Sequence, residues 1–530
     1  RAILLAPVDL LFNGGIGTYV KATTESHAEV GDKANDAVRV DARALRCRVV
    51  GEGGNLGLTQ RARVEFALAG GRINTDFIDN SAGVDISDRE VNIKILLAGA
   101  GVTGPDRDRL LAEMTGEVAA QVLRDNYDQA WALGRAKAQS VPLLPVHRRM
   151  LSELERTGGL DRSLVALPTD ADLAERAAAG HGGLTTPEFA VLLAYVKNTL
   201  KEEIVGSDLP DDGWTREVLA DYFPAPLARR CPDQMARHRL RREIASLVLV
   251  NEVVNRGGTS FVFRAVEETG ASAADVLRSY VVIREVFGLR QLWAAVEALD
   301  GEVPIGAQTA VYLTTRRVLD RAVRWLLQNR RSPLDVSREV AALGPGVSRL
   351  LPRLGSLIRG VERDALRTHA ERLVAQQMPP EVADWAARVN YSFGLLDVVE
   401  CTAAAGLDTT GSGVDHAAEV YFVLSERFRV DTVLSKISAL PREDRWQTLA
   451  RMALRYDLYA ALAALTSEVL TSTSPDAEPG ARVFEWEQRS AASIARARNA
   501  IGEFDTSRAD LAALSVLLRQ IRTQVRTTAA

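Results

Sequence analysis

From residue 87 to the end, apolar side chains recur at helical spacing, and this bounds the fold more tightly than any other feature of the chain. In "DRDRLLAEMTGEVAAQVLRDNYDQAWALG", Leu110, Met114, Val118 and Val122 fall on one face. "DREVNIKILLAG" starts a helix just before it. Thr186-Pro187 reads as a cap followed by proline at the first helical position, opening a helix that runs to Gly206. "AQTAVYLTTRRVLDRAVRWLLQ", "PPEVADWAARVNY" and "DRWQTLARMALRYDLYAALAALTSEVL" continue in the same style. Residues 471–481, "TSTSPDAEPGA", read as a linker before two last helices. No fixed repeat period runs through the region, which argues against a solenoid.

The first hundred residues, roughly, differ. They are rich in glycine and asparagine and carry short β-type runs: "VDLLF" (8–12), "CRVVG" (47–51) and "INTDFI" (73–78). Between the last two lies "TQRARVEFALAGG", with Thr59 as N-cap and Gly70-Gly71 as stop. Strand, helix, strand at that spacing is a βαβ unit of a parallel sheet. A further helix is expected around "AEVGDKANDAV". The fold class is therefore α/β, a partial Rossmann-like parallel sheet, followed by a large all-α region. Three segments follow: 1–86 in the α/β domain, 87–150 as connecting helices, and 151–530 as a helical domain.

A chain of 530 residues is long enough for two to four domains. A net charge of -4 gives no global field for a polyanion, so nucleic acid is not an expected partner. Cys47, Cys231 and Cys401 are scattered and odd in number, which suits a reducing, cytoplasmic compartment better than a disulfide framework. The six histidines show no metal spacing with cysteine, and no metal is expected. No apolar run is long enough to span a bilayer, and no membrane partner is expected. The first residue is Arg1, and the chain reads as an internal or C-terminal piece of a longer protein, or a processed product.

Three glycine- or asparagine-bearing turns could carry chemistry. In "FNGGIGTY" (12–19), glycines after a strand would let backbone N–H groups approach a ligand; taken alone, a tight strand-to-helix turn is the simpler explanation. "GEGGNLGLTQ" (51–60) lies where a dinucleotide loop would lie, but G-x-G-x-x-G begun at Gly51 ends on Leu56, and begun at Gly15 ends on Val20. On spacing alone it is a structural turn. In "DFIDNSAGVDIS" (76–87), Asn80 could donate and accept at the carboxyl end of a strand, and Ser87 could donate to a substrate carboxylate. The alternative is an Asx-type turn with Ser87 as N-cap of the next helix, and one turn can do both. "GSGVDH" (411–416) sets Ser412, Asp415 and His416 together without triad geometry. The basic "ARRCPDQMARHRLRR" (228–242) reads as a solvated or salt-bridged helix face. Trp293, Trp325 and Trp385 sit among apolar helical residues and read as core.

Taken together, "APVDLLFNGGIGTYVKA", "VVGEGGNLGLTQRARVEFALAGGRINTDFIDNSAGVD" and "SDREVNIKILL" resemble the glutamate dehydrogenases, in particular the large NAD-specific class. The resemblance is dense over residues 6–97. It implies NAD as cofactor, L-glutamate and 2-oxoglutarate as substrate and product, and a homo-oligomer. Glu52, Gly53, Gly54 and Asn55 resemble the family's E-x-A-N segment, which implies that Asn55 sits near the cofactor and that the pyrophosphate fingerprint lies upstream. Asn80 to Ser87 resemble the family's N-A-G-G-V-x-x-S motif. By that match Asn80 lies near nicotinamide ribose and substrate, and Val84 and Ser87 approach the substrate's side-chain carboxylate. Gly14 and Gly15 would offer backbone contacts to the cofactor, although the family usually has proline at Asn13 and alanine or cysteine at these two positions. No stretch resembles the family's catalytic lysines and aspartate, so no catalytic acid or base is assigned to this chain.

The resulting reading is the C-terminal part of an NAD-dependent glutamate dehydrogenase. Two readings compete with it. One is a helical assembly or regulatory module, suggested by the length of helix without a chemical motif. The other is a nucleotide-binding protein without catalysis, suggested by the missing fingerprint.

Overall fold

The chain opens with strand β1 (Leu10–Asn13), followed by two short strands, β2 (Val20–Lys21) and β3 (Val40–Asp41), and then β4 (Val49–Glu52). β1 and β4 pair in parallel, Leu10 opposite Val49 through Asn13 opposite Glu52. β2 and β3 form a second parallel pair. A computed structural model describes residues 1–180, 182–441, 444–489, 491–505 and 510–528.

Helix α1 (Gln60–Leu68) starts where expected: the Thr59 side chain accepts from the Ala62 N–H. It stops at a glycine in the left-handed region, Gly70, at φ +94°. The apolar face of α1, with Ala62 and Phe66, packs on Val20, Val40, Val50 and Leu58 to make a small core behind the strands.

Three expectations for this region need correction. The run at 73–78 is not a strand: Arg72 makes one parallel bridge to Val49, and Asp76–Asp79 is a single helical turn. The turn puts Asp76 and Asp79 on one side, where Asp79 accepts from the N–H of Glu52 at the end of β4 and Asp76 from that of Leu56 in the loop after it. The expected helix around 28–38 is two short pieces, His27–Val30 and a 3-10 turn at Lys33–Asn35, separated by Gly31 at φ +77°. Helix α2 (Ser81–Gly99) begins at Ser81, so Ser87 lies inside the helix and is not its N-cap.

Helix α3 (Gly104–Ala138) buries Leu110, Met114 and Val122; Leu110 and Met114, with Val118 beside them, pack against Ile93, Leu96 and Leu97 of α2. Helix α4 (Thr186–Gly206) begins with a capping box between Thr185 and Glu188. The cap is therefore Thr185, one residue before the expected position, and Pro187 falls in the first turn. Helix α5 (Arg241–Gly257) packs on α4.

The chain divides into two compact units. The first is 1–266 with 272–277, and the second is 267–271 with 278–530. The second is helical among the described residues. Its helices include α6 (Ile305–Asn329), α7 (Gly360–Ala375), α8 (Pro380–Tyr391), α9 (Leu395–Ala404), α10 (Ser412–Arg427), α11 (Val430–Ala439) and α12 (Arg445–Ser472). Trp293 and Trp325 are buried, as expected of core residues, and Trp385 is half-buried. Three helices, not two, follow residue 478: Pro479–Arg489, Ala491–Asp505 and Leu511–Thr528. A small parallel sheet at the amino end followed by a large helical region is thus the fold. No helix among the described residues is long and apolar enough to cross a membrane.

Candidate functional site

The loops that leave β1 and β4 meet beyond the carboxyl ends of the two strands, where open parallel sheets bind ligands. The Gly54 N–H donates to the Asn13 carbonyl at 2.9 Å. A Cβ on Gly54 would lie 2.3 Å from the Gly15 carbonyl oxygen, so only glycine allows this crossing. At Gly57 a Cβ would lie 2.1 Å from the Asn13 Nδ2, a side-chain atom that would have to move aside. Gly14 and Gly15 differ: a Cβ at Gly15 meets nothing within 4 Å, and one at Gly14 meets only the Phe12 ring. Their backbone borders open space.

Buried carboxylates hold the β4 loop in place. Glu52 is fully buried and accepts from Arg63 twice, at 2.7 and 2.9 Å. Its Oε1 also accepts from the Leu58 N–H. Asp76 accepts from the Leu56 N–H at 2.8 Å and lies 3.2 Å from Arg63. Asp79 accepts from the Glu52 N–H at 3.0 Å and from Asn74 at 2.8 Å. Burial pushes the Glu52 carboxyl above the ordinary carboxylate range, against the pull of Arg63. Asp79 is pushed up by burial as well. These acids are engaged with backbone amides and a guanidinium, and none is placed as a free acid or base. Sequence reading missed Arg63, Asp76 and Asp79. The available signal was the i, i+3 spacing of the two aspartates, which suits one helical turn better than a strand.

The site residues from the sequence fall around this scaffold. Asn80, ending the turn at 76–79, donates from Nδ2 to the Asn55 Oδ1 at 2.5 Å. Two asparagines 25 residues apart are thereby joined, and Asn55 directly follows Gly54, whose backbone crosses that of Gly15. Val84 and Ser87 follow Asn80 at i+4 and i+7, on the same side of α2. Both are exposed, Val84 at 74%, and no hydrogen bond joins Ser87 to either asparagine among the described residues. Ser81 bonds the Ile78 carbonyl at 3.0 Å and the Asn126 side chain of α3, which ties the start of α2 down. Two turns on, Arg89 bridges Asp85 and Asp125 and lies 4.9 Å from the centre of the Tyr222 ring. Burial, then the Asp125 charge, pushes the Asp85 carboxyl up to about 6 against the pull of Arg89.

The remaining sequence motifs have structural explanations. Asp415 pairs with Arg349 and Arg353, each at 2.7 Å, and His416 meets Arg482 at 2.8 Å, so Ser412, Asp415 and His416 form no triad. In the basic run, Arg230 pairs with Asp106, and Arg241 and Arg242 pair with Asp211. The three cysteines are free and buried. No group of three or more His, Cys, Asp or Glu among the described residues is placed to hold a metal ion. A cavity of about 630 Å³ lies away from the asparagine pair, at the amino ends of the strands, lined by Asp9, Arg43, Cys47, Arg48 and Arg72 among others. We favour the carboxyl-end loops as the site, because parallel strands aim their loops there.

Residues 181–523 match the family model described as glutamate dehydrogenase, C-terminal. Residues 1–136 match that of the bacterial NAD-glutamate dehydrogenase catalytic domain. The chain belongs to the glutamate dehydrogenase family. It is 44% identical over 532 aligned positions to an NAD-specific glutamate dehydrogenase of Mycobacterium tuberculosis, covering 99% of this chain and 32% of that relative. Another, from Pseudomonas aeruginosa, is 44% identical over 92% of this chain and 30% of its own length. A third, from Halomonas elongata, is 40% identical over the same shares. The chain therefore spans about a third of the length of the curated relatives it matches. The catalytic-domain match ends at residue 136, inside α3, so the family's catalytic domain includes both the asparagine pair and the start of the helical region.

Proposed function

We propose that this chain forms the C-terminal part of an NAD-dependent glutamate dehydrogenase, which converts L-glutamate to 2-oxoglutarate and ammonia. The observation that carries the reading is the Asn55–Asn80 pair beyond the carboxyl ends of two parallel strands. In this reading residues 1–86 are the distal half of a Rossmann-like domain, 87–150 return to the catalytic core, and 151–530 are the helical domain. The pyrophosphate fingerprint and the catalytic lysines and aspartate belong to other parts of the enzyme.

The residues fit a nicotinamide cofactor. Asn55 and Asn80 offer neutral donors and acceptors, Gly14 and Gly15 border open space, and the buried Nδ2 of Asn13 has no partner among the described residues. NAD, when bound, accepts hydride from the substrate α-carbon. Asn80 and Asn55 would orient the nicotinamide riboside, with their mutual bond exchanged for bonds to the ligand. Val84 and Ser87 would face the substrate's side-chain carboxylate, the serine hydroxyl donating to it. A dry pocket penalises an unpaired carboxylate, and a single donor there selects for a dicarboxylate. A homo-oligomeric enzyme of the cytoplasm completes the reading. Three buried thiols without a disulfide support the compartment. The length of helix without a reactive group supports a role in assembly.

The test is steady-state kinetics of the full-length enzyme. Asn80→Ala is expected to raise KM for NAD about tenfold, the worth of one hydrogen bond. Ser87→Ala is expected to raise KM for glutamate and to reduce its preference over norvaline. Unchanged constants for both variants would remove the site from the reaction.

A further inference from the structure

The second unit contains a group of arginines that faces too little negative charge. On α6, Thr314, Arg317 and Arg321 share one side at i, i+3 and i+7. Thr314 Oγ1 lies 3.5 Å from His369 Nε2 of α7, which sets that side of α6 against α7, and Arg372 follows His369 by three residues. On α12, Arg451, Arg455 and Tyr459 recur at i, i+4 and i+8. The Tyr459 ring packs edge-on against Phe393, just after Tyr391 at the end of α8, with centroids 4.6 Å apart. The charges converge: Arg317, Arg321 and Arg372 all bear on Tyr391, while Arg321 and Arg455 both bear on Tyr459.

These cations are poorly compensated. Arg317, Arg321 and Arg372 make no hydrogen bond or ion pair among the described residues. Arg455 donates to a neutral partner, Ser438 Oγ, at 2.7 Å. Burial and the charges of Arg321 and Arg451 push the Arg455 guanidinium down to about 10. His369 is held down by burial and by Arg317 and Arg372. The acids that bear on the two tyrosines are themselves buried: Glu362 of α7 is pushed up to about 7 by burial and by Asp431 of α11, and Asp397 of α9 is pushed up to about 7 by burial. Like charges that bear on the same side chains repel unless a counter-charge joins them. Guanidinium forks match the oxygens of carboxylate and phosphate groups.

We propose that Arg317, Arg321, Arg372 and Arg455, with Tyr391 and Tyr459, form a binding site for a small multivalent anion bearing carboxylate or phosphate oxygens. The site lies wholly in the helical unit, apart from the residues assigned to NAD and glutamate, and its occupant is a ligand additional to both. Anion binding would remove the repulsion between α6, α7 and α12 and stiffen this part of the unit.

Thermal unfolding of the full-length enzyme at fixed ionic strength tests the idea. Millimolar inorganic phosphate or malonate is expected to raise the unfolding temperature by several degrees above a potassium chloride reference. The anion that gives the larger rise identifies the preferred chemistry. Arg317→Gln/Arg321→Gln should lose this increment, and in potassium chloride should be at least as stable as the parent, because the repulsion is relieved. Arg372→Gln, at an exposed position, should weaken anion binding about tenfold while folding normally. The proposal is overturned if neither anion exceeds the chloride reference. It is equally overturned if Arg372→Gln keeps the full increment, or if the double variant is markedly less stable than the parent in chloride.

Discussion

Arg63 shows how much of the site's geometry rests on a single buried cation. It meets both oxygens of Glu52 and one of Asp76, and those carboxylates in turn hold the backbone N–H groups of Leu56 and Leu58. Arg63→Ala would strand a buried carboxylate, at a cost on the order of 3–5 kcal/mol. Glu52→Gln/Arg63→Met should recover much of that loss, because it removes both charges; denaturant titration of the variants measures the difference. Gly54→Ala drives a methyl group onto the Gly15 carbonyl and is expected to destabilise the first unit by about 1–3 kcal/mol, visible in the same titration. At this scale the sequence is partly legible. Asn55 and Asn80 stand out in separate motifs, and they touch. Asp76 and Asp79 escape notice because "INTDFI" has the apolar content of a strand. What decides its shape is the need of the 52–58 amides for two acceptors on one side, and residue-by-residue propensity does not register a distant backbone's needs.

Helix ends are legible where a side chain closes them locally. Thr59 and Gly70 bound α1 as their chemistry demands. The start of α2 lies seven residues before the expected one, with Asn80 rather than Ser87 at the cap position. "SAGVD" looks like a loop, but Ser81 is anchored to Ile78 and to Asn126 of a later helix, a tertiary contact that spacing cannot reveal. The cap of α4 shifts by one residue for a related reason: Glu188, fully buried and paired with Arg176 at 2.8 Å, selects Thr185 as its capping-box partner. Thr185→Ala is expected to cost about 1 kcal/mol, with α4 fraying at its first turn, and amide exchange at Thr185 and Glu188 would detect it.

At the scale of the molecule, composition divides the chain near residue 87, whereas compactness divides it near 266–278. α3, α4 and α5 have helical composition but pack within the first unit, so truncation at residue 150 would cut through a core. The second unit has its own pH signature. Asp397 is buried, with Trp325 Nε1 donating to it at 2.8 Å, and burial pushes its carboxyl up to about 7. The unfolded chain releases this proton near pH 3.8 and the folded one near 7. The stabilisation is therefore complete below the lower value and is lost as pH rises through the upper one. Asp397→Asn, which keeps the acceptor for Trp325, should stabilise the second unit at pH 8 by on the order of 3 kcal/mol and flatten its stability profile between the two values. Thermal unfolding across pH measures both.

β1 pairs with β4 on one side, and among the described residues no further strand joins its other side, while Leu10 and Phe12 stand more than half exposed. Such a margin is a template for the wrong neighbour as readily as for the right one. Prepared in isolation, this polypeptide would tend to stick to itself along β1, and its shelf life would depend on dilution before it depended on temperature.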